Sequence, residues 1–129
     1  MTVIVGYIPT AEGEAALQEA VREAERRAVE LVVINSARRD AYVDDRYAQD
    51  AEWRAVEERL EQSGVTFRLL RPESSHDTAT DLVEAAEQHA ADLLVIGLRR
   101  RSAVGKLILG STAQRVIMQA PCPVLTIKP

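Results

Sequence analysis

The sequence predicts an open α/β fold, a five-stranded parallel sheet with helices on both faces. Short β-branched and aliphatic runs alternate along the chain with amphipathic segments of helical period. Two of these runs are apolar at every position, as strands covered on both faces are. Right-handed crossovers place the helices over the strands they connect, so the alternation predicts one layered domain over residues 1–129.

The first strand is predicted at Val3–Gly6, an apolar run that is rich in β-branched residues and is followed by Pro9. Glu14–Arg27 then changes to a helical period, with charged residues on the outer faces. The residues expected to face inward are Leu17, Val21, Ala24 and Ala28. The first two elements are therefore a strand and an amphipathic helix.

A second strand and helix follow in the same order. Leu31–Ile34 is an uninterrupted apolar run, and Arg46–Gln62 has helical period and is closed by Gly64, a frequent helix C-terminal residue. The residues expected to face inward are Tyr47, Ala51, Val56 and Leu60. We interpret Tyr47 and Trp53 as packing residues of this helix, against the core or a partner, in preference to a ligand-stacking role.

The third unit contains a partly alternating strand, Val65–Leu70, and a helix over Asp77–Ala90. Asp77 is predicted to cap that helix, because its carboxylate can accept from the free N–H groups of the first turn. The most apolar run of the chain, Leu93–Ile96, is the fourth strand and ends at Gly97. These elements continue the alternation.

The last two elements are a helix over Ser111–Gln119 and a strand over Pro123–Ile127. In open parallel sheets, ligands bind beyond the carboxyl ends of the strands, where the strand order reverses. We therefore expect a binding site among the loops that follow Gly6, Ile34 and Ile96.

Composition excludes several classes of function. The net charge of -4 and the pI near 5.2 argue against nucleic-acid or anionic-membrane binding, which depend on excess basic charge. The N-terminus has no basic region before an apolar stretch, and no segment approaches the roughly 20 apolar residues of a membrane span. Cys122 is the single cysteine, which favours a reducing compartment. We expect a cytoplasmic protein without nucleic-acid or membrane partners.

The loop Gly97–Ser111 carries the strongest functional signal. It runs from a strand end to a helix start, and its glycines allow the backbone to approach an anion closely. The helix N-terminus adds unpaired N–H groups and a partial positive charge. Basic side chains accompany it at Arg99, Arg100, Arg101 and Lys106. Such a loop is suited to phosphate; the alternative is an ordinary solvated loop whose glycines serve only its turns and the helix start.

The spacing of this loop resembles that of the universal stress protein family. The motif is Gly-x-x-Gly-x9-Gly-Ser/Thr after the fourth strand, followed by a helix and Pro-Cys-Pro-Val, and the likeness extends over the whole chain. It implies strand order 3-2-1-4-5, an adenine nucleotide alpha hydrolase-like fold. It also implies that Gly97, Gly110 and Ser111 contact the ribose and phosphates of ATP or a related adenine nucleotide. Arg100 stands where the second glycine is expected, and the resemblance extends the same role to it despite that departure. Ser111 alternatively serves as the helix N-cap.

The first loop departs from that family as well. Ile8, Pro9 and Thr10 occupy the positions of the usual Asp-Gly-Ser, so the carboxylate that contacts the nucleotide is missing. Losing such a bond costs about 1–3 kcal/mol. Charge-assisted bonds from the three arginines, Arg99, Arg100 and Arg101, and from Lys106 offset part of this loss. The sequence leaves the affinity open.

The end of the second strand supplies two more candidates, Asn35 and Ser36. In nucleotide-binding relatives the matching strand end lies against the adenine ring. The resemblance therefore implies an adenine contact, and strand-end hydrogen bonding is an equal alternative.

Neither a metal site nor a catalytic centre is evident. His76 and His89 have no cysteine or histidine at metal-ligand spacing, and no base is evident that would activate water beside a phosphate. Asp40 and Asp77 are the candidates for a distant contribution to hydrolysis, although a turn and a helix cap explain them more simply. We therefore expect an ATP-binding regulatory protein of the stress response, not an enzyme and without a metal. The alternative is an interaction module whose nucleotide site has decayed. The resemblance implies a homodimer through Pro123–Ile127, an edge strand whose free backbone groups favour pairing.

Overall fold

A computed structural model describes residues 1–36, 43–72, 77–99 and 109–129, with residues 43–49 described as backbone only. The strands are β1 (Thr2–Gly6), β2 (Glu30–Ile34), β3 (Phe67–Leu70), β4 (Ala91–Gly97) and β5 (Val124–Ile127). The helices are α1 (Ala11–Arg27), α2 (Val43–Ser63), α3 (Thr78–Gln88) and α4 (Ser111–Gln119). Within these ranges, no helix is both long enough and apolar enough to cross a bilayer.

The strands form one parallel sheet in the order β3-β2-β1-β4-β5. This confirms the predicted fold class and strand order. β1 lies at the centre, with β2 on one side and β4 on the other, so the direction of winding reverses between β1 and β4. The carboxyl ends of these three strands meet at one edge, which we call the carboxyl edge.

The side chains of the central strands alternate between two cores. Val3 and Val5 pack with α1 and α2 on one face, and Ile4 packs with α3 and α4 on the other. All three are fully buried, and each such side chain contributes about 1.5–3 kcal/mol. The uninterrupted apolar runs therefore fix the centre of the sheet, as the sequence predicts.

Several boundaries and two inward positions differ from expectation. α1 begins at Ala11, three residues before Glu14, because Thr10 caps it. Ala28 is exposed and takes a left-handed φ of 56° as the C-cap of α1, so it does not continue the inward face. β3 begins at Phe67, later than predicted.

The prediction for Ala51 is also wrong, because this residue is exposed. The buried face of α2 runs through Trp53, Val56 and Leu60, with Val56 and Leu60 buried as predicted. Two residues of helix separate Ala51 from Trp53, a rotation of about 200°. That rotation turns Ala51 away from the core. The side chain of Tyr47 lies outside the described residues.

Candidate functional site

The turn after β1 closes tightly over the first turn of α1. The N–H of Thr10 donates to the Ile8 carbonyl at 2.8 Å, and the N–H of Gly13 donates to Thr10 Oγ1 at 3.2 Å. A Cβ on Gly13 would lie 1.8 Å from the Ile8 carbonyl oxygen, closer than any real contact. Thr10 is therefore the N-cap of α1, and Gly13 is required by the backbone packing. Sequence reasoning missed Gly13; its position in the first turn of a helix, where glycine is unfavourable, is the available signal.

The ends of β1 and β2 are joined by backbone and side-chain hydrogen bonds. The N–H of Tyr7 donates to the Ile34 carbonyl at 2.8 Å, and Asn35 Nδ2 donates to the Tyr7 carbonyl at 3.0 Å. Asn35 is buried, as is Ser36, whose hydroxyl donates to Asp81 Oδ2 at 2.6 Å. Both residues therefore make hydrogen bonds within the protein at the strand end, which is the alternative stated for them. Their contact with adenine stays a prediction.

Gly97 ends β4 directly beneath α1. A Cβ there would lie 2.3 Å from the Glu12 carbonyl oxygen and 2.7 Å from its carbonyl carbon. Both atoms belong to backbone and have little freedom to move aside. The fold therefore requires glycine at this position whether or not a ligand is bound. Arg99 follows, with its Nε 4.0 Å from Glu12 Oε1 in a partly exposed ion pair.

The start of α4 has a different character. Gly110 is its N-cap, with an extended φ of -71°, and no side chain caps the first turn. Among the described residues, no atom lies within 4 Å of a Cβ built on Gly110. Ser111 is the first helical residue and is exposed, so the interpretation of Ser111 as the N-cap is wrong. The first-turn N–H groups of α4 therefore have no side-chain acceptor from the cap.

The first turn of α3 contacts both α4 and the segment that follows β2. Asp77 caps α3 as predicted, since its Oδ1 accepts from the N–H of Thr80 at 2.9 Å. Its Oδ2 accepts from Arg115 of α4, and Arg115 also donates to Thr80 Oγ1 at 3.1 Å. Bonds from Thr80 and Arg115 hold the pKa of Asp77 at about 2, well below its ordinary value of 3.8. Asp81, in the same first turn, accepts from the hydroxyl of Ser36, just beyond the end of β2.

A second group of polar side chains, which the sequence reasoning missed, lies on the sheet face that carries α1 and α2. It joins the end of β1 to both helices. The Tyr7 hydroxyl donates to Glu14 Oε1 at 2.6 Å, and Arg59 donates to Glu14 Oε2 at 2.5 Å. Burial and the neighbouring carboxylate raise the pKa of Tyr7. Burial opposes ionisation of Glu14, yet the bonds from Tyr7 and Arg59 outweigh it and lower the pKa of that carboxyl.

Trp53 lies beside this group. Its ring is tilted against Tyr7, with the centroids 6.3 Å apart, and the Arg71 guanidinium lies 5.8 Å from its centroid. It packs against the core as well, in agreement with its interpretation as a packing residue. Arg71 also pairs with Asp50 of α2. No signal in the sequence predicts these partners, because residues from distant parts of the chain form the contacts.

The described ranges contain no group of three His, Cys, Asp or Glu side chains arranged to hold a metal ion. Arg100, Arg101, Lys106 and His76, all named from the sequence, lie outside the described residues. Four of the described candidates have a structural role in the fold: Gly97, Thr10, Asn35 and Ser36. Two others have open surroundings among the described residues, Gly110 and Ser111. Ile8 and Pro9 form the β1 turn, Ile8 supplying its carbonyl group to the Thr10 N–H.

Comparison with known proteins decides the family. A sequence profile described as the universal stress protein family matches residues 1–128. The chain belongs to the universal stress protein family. A universal stress protein of Mycolicibacterium smegmatis is 45% identical over 127 residues, covering 98% of this chain and 97% of that protein.

Solved universal stress protein structures share the fold. The protein from Archaeoglobus fulgidus in complex with dAMP superimposes with a TM-score of 0.80 at 24% identity, covering 99% of this chain and 98% of that chain. A universal stress protein in complex with cAMP gives a TM-score of 0.72 at 23% identity, with 99% and 96% covered. The sheet and its flanking helices are therefore the common architecture of the family and of this chain.

Proposed function

We propose that the protein binds an adenine nucleotide, ATP or a relative of it, at the carboxyl edge and acts as a regulatory protein of the stress response. The phosphate would lie on the first turn of α4, at Gly110 and Ser111. The nucleoside would extend from there toward the ends of β1 and β2. In this proposal the protein binds the nucleotide and does not catalyse a reaction on it.

The start of α4 is the observation that carries this proposal. α1 and α3 have side-chain caps, from Thr10 and Asp77, whereas α4 has a glycine that supplies none. Free N–H groups at a helix N-terminus favour an anion through hydrogen bonds and the helix dipole. Gly110 also has open space around its Cβ position among the described residues. Its φ of -71° is open to any residue, so neither conformation nor described packing requires glycine there.

Family membership supports the class of ligand. The two solved relatives contain dAMP and cAMP, which are adenine nucleotides with a single phosphate group. A phosphate on α4 and an adenine toward β2 would suit either. ATP would require further contacts for its outer phosphates, for which Arg99 and the basic residues of 100–108 are the candidates.

The β1 turn bears on affinity. Ile8 offers no carboxylate for a ribose hydroxyl, and the side chains of Asn35 and Ser36 already have protein partners. Loss of one hydrogen bond to a charged group lowers affinity by about tenfold to a hundredfold. We therefore expect the phosphate end to contribute most of the binding energy.

The test uses two substitutions that differ by one charge, Gly110→Asp and Gly110→Asn. Asp and Asn are both good N-cap residues, because their side chains can accept from the first-turn N–H groups, which Gly110 cannot do. The unfolding temperature of both variants should therefore stay the same or rise by a few degrees. Both occupy the amides that a phosphate would use, but only Asp also repels it. Calorimetric titration with AMP, cAMP and ATP should show weaker binding for Asn and at least about tenfold weaker binding again for Asp.

Equal AMP affinity in the wild type and Gly110→Asp would refute a phosphate on α4. Absence of binding by the wild type at millimolar nucleotide would remove the proposed function altogether. A misfolded variant would show both a lower unfolding temperature and a lower affinity. An affinity that falls while the unfolding temperature holds or rises therefore excludes misfolding as the cause.

A binding role also predicts the absence of turnover. Asp77 is the candidate for a contribution to hydrolysis that lies within the described residues. Its two carboxylate oxygens already accept hydrogen bonds from the Thr80 N–H and from Arg115. Asp40 lies outside the described residues. We expect ATP hydrolysis no faster than a buffer control, and a rate that copurifies with the protein and falls in Asp40→Ala would contradict this.

The second candidate function is self-association through β5, with or without a nucleotide. β5 is an edge strand that pairs only with β4 in the described sheet. The carbonyls of Pro123 and Ile127 point to β4, so alternation turns the backbone of Val124 and Thr126 toward the open edge. The preceding helix also exposes Met118, at 83%, and Ile117.

A proline at an outward edge position tests this candidate. Thr126→Pro removes an N–H that faces solvent in the monomer, which edge strands tolerate, but it prevents a second strand from pairing there. Light scattering after gel filtration should give a dimer for the wild type and the control Thr126→Val, and a monomer for Thr126→Pro. A monomeric wild type, or a Thr126→Pro dimer, would refute association through this edge.

A further inference from the structure

The helix that starts at the proposed phosphate site is lightly anchored. α4 has nine residues, and Val116 is its one buried residue. In its first turn Ser111 and Thr112 are exposed, and Ala113 is half-buried. Apolar packing therefore holds the middle of α4 more firmly than its N-terminal turn.

Arg115 supplies a second attachment near that turn. It lies four residues after Ser111 and so on the same side of the helix, and long helical side chains lean toward the N-terminus. Its guanidinium binds two groups of α3, the carboxylate of Asp77 and the hydroxyl of Thr80. The pair thus ties the first turn of α4 to the first turn of α3.

Asp77 is itself fixed in direction. One carboxylate oxygen caps α3 by accepting from the Thr80 N–H at 2.9 Å, which leaves the other to face Arg115. In the same turn Asp81 binds Ser36 at the end of β2. The start of α3 therefore contacts both α4 and the segment that follows β2.

We propose that Asp77 is a positioning residue for the phosphate half of the site, acting through Arg115 to hold the first-turn amides of α4 in place. This inference rests on the proposed nucleotide function. Hydrogen bonds to an anion require close distances and angles, so a first turn that moves loses more phosphate affinity than stability. The nucleoside half has no such dependence on α4.

The decisive substitution is Asp77→Asn. Asparagine keeps a side-chain oxygen for the α3 cap and removes the charge that holds Arg115. AMP and adenosine are titrated into the wild type and the variant, because they differ only in the phosphate. We expect AMP affinity to fall by about 3- to 30-fold, the range of an indirect coupling, with adenosine affinity unchanged and the unfolding temperature nearly so.

Three further variants complete a cycle. Arg115→Gln should reproduce the loss, the double variant should be no worse than either single one, and Arg115→Lys should retain part of the AMP affinity. Hydrogen exchange without nucleotide should be faster in Asp77→Asn at the amide of Gln114, whose N–H donates to the Gly110 carbonyl at 3.0 Å and closes the first turn of α4. A residue that merely contacts ligand would not cause this change.

The outcomes are separable. If the wild type binds neither AMP nor adenosine, the proposed function fails and this inference with it. If the wild type binds AMP and the ratio of AMP to adenosine affinity is unchanged in Asp77→Asn, the inference alone is overturned. A rise in AMP affinity would also overturn it, since it would show that Asp77 competes with the phosphate for Arg115.

Discussion

Replacing Gly13 by alanine sets two physical effects against each other. Helix propensity favours alanine over glycine by about 1 kcal/mol in a helix interior. Packing opposes it, because the added Cβ would lie 1.8 Å from the Ile8 carbonyl oxygen, 2.8 Å from its carbon and 3.0 Å from its nitrogen. Ordinary contact begins at 3.4 Å, so the turn and the helix must separate by about 1.6 Å.

The obstacle is backbone, which cannot rotate away as a side chain does. Overpacking of this kind costs about 1–3 kcal/mol and more when backbone must shift. The movement also breaks the Thr10 cap, worth about 1 kcal/mol. Net destabilisation of about 1–3 kcal/mol remains after the propensity gain. For a chain of 129 residues that corresponds to a fall in unfolding temperature of about 4–12 °C.

Calorimetry or circular dichroism measures this directly. Gln18→Ala, at an exposed position of the same helix, is the matched control and should change the temperature by less than about 2 °C. A Gly13→Ala protein as stable as the wild type, or more so, would refute the claim that the β1 turn requires glycine there.

Three more substitutions test other local features of the structure: the packing at Gly97, the backbone conformation of Ala28 and the hydrogen bonds of Glu14. Gly97→Ala should destabilise by about 1–3 kcal/mol without any ligand, because its Cβ meets the Glu12 backbone; unchanged thermal unfolding would contradict this. Ala28→Gly should raise the unfolding temperature by about 2–5 °C, since it relieves a φ of 56° at an exposed position; a fall would show that no strain is held there. Glu14 has a lowered pKa in the folded state, so it adds stability above its ordinary value of 4.5 that is lost as the pH falls through the folded pKa. The acid decline in unfolding temperature below pH 4.5 should therefore be shallower in Glu14→Gln, and equal slopes would refute the role given to Tyr7 and Arg59.

The architecture was predictable because its signals are local. The runs that became β1, β2 and β4 are apolar at nearly every position, and only strands covered on both faces bury such runs. The helical stripe of α1 gave its inward face apart from the terminal Ala28. α2 was less certain because alanine is compatible with either face, so periodicity alone misplaced Ala51.

The site was less predictable because its determinants are long-range. Ser36 and Asp81 are 45 residues apart in the sequence, as are Glu14 and Arg59. No local sequence pattern indicates that the members of either pair are in contact. The roles of the glycines depend on what lies opposite them, since Gly97 faces the Glu12 backbone and none of the described residues lies opposite Gly110. Sequence spacing makes these two glycines equivalent, and only the packing distinguishes them.

That distinction changes how the family motif should be interpreted. A glycine motif is usually taken as a set of ligand contacts, yet Gly97 is needed to let α1 pass over the end of β4 even without a ligand. A substitution at Gly97 would weaken the proposed nucleotide binding by disturbing the fold, so that loss would not identify a ligand contact. Gly110 has no such packing requirement among the described residues, so its substitution can test the proposed phosphate contact without disturbing the fold. The same reasoning separates Asn35 and Ser36, whose side chains make hydrogen bonds at the strand end, from the first turn of α4, which has no side-chain cap among the described residues. Among the described residues of this edge, the side chains of Asn35 and Ser36 therefore have structural partners, and the first-turn amides of α4 are the groups to which the proposal assigns the anion.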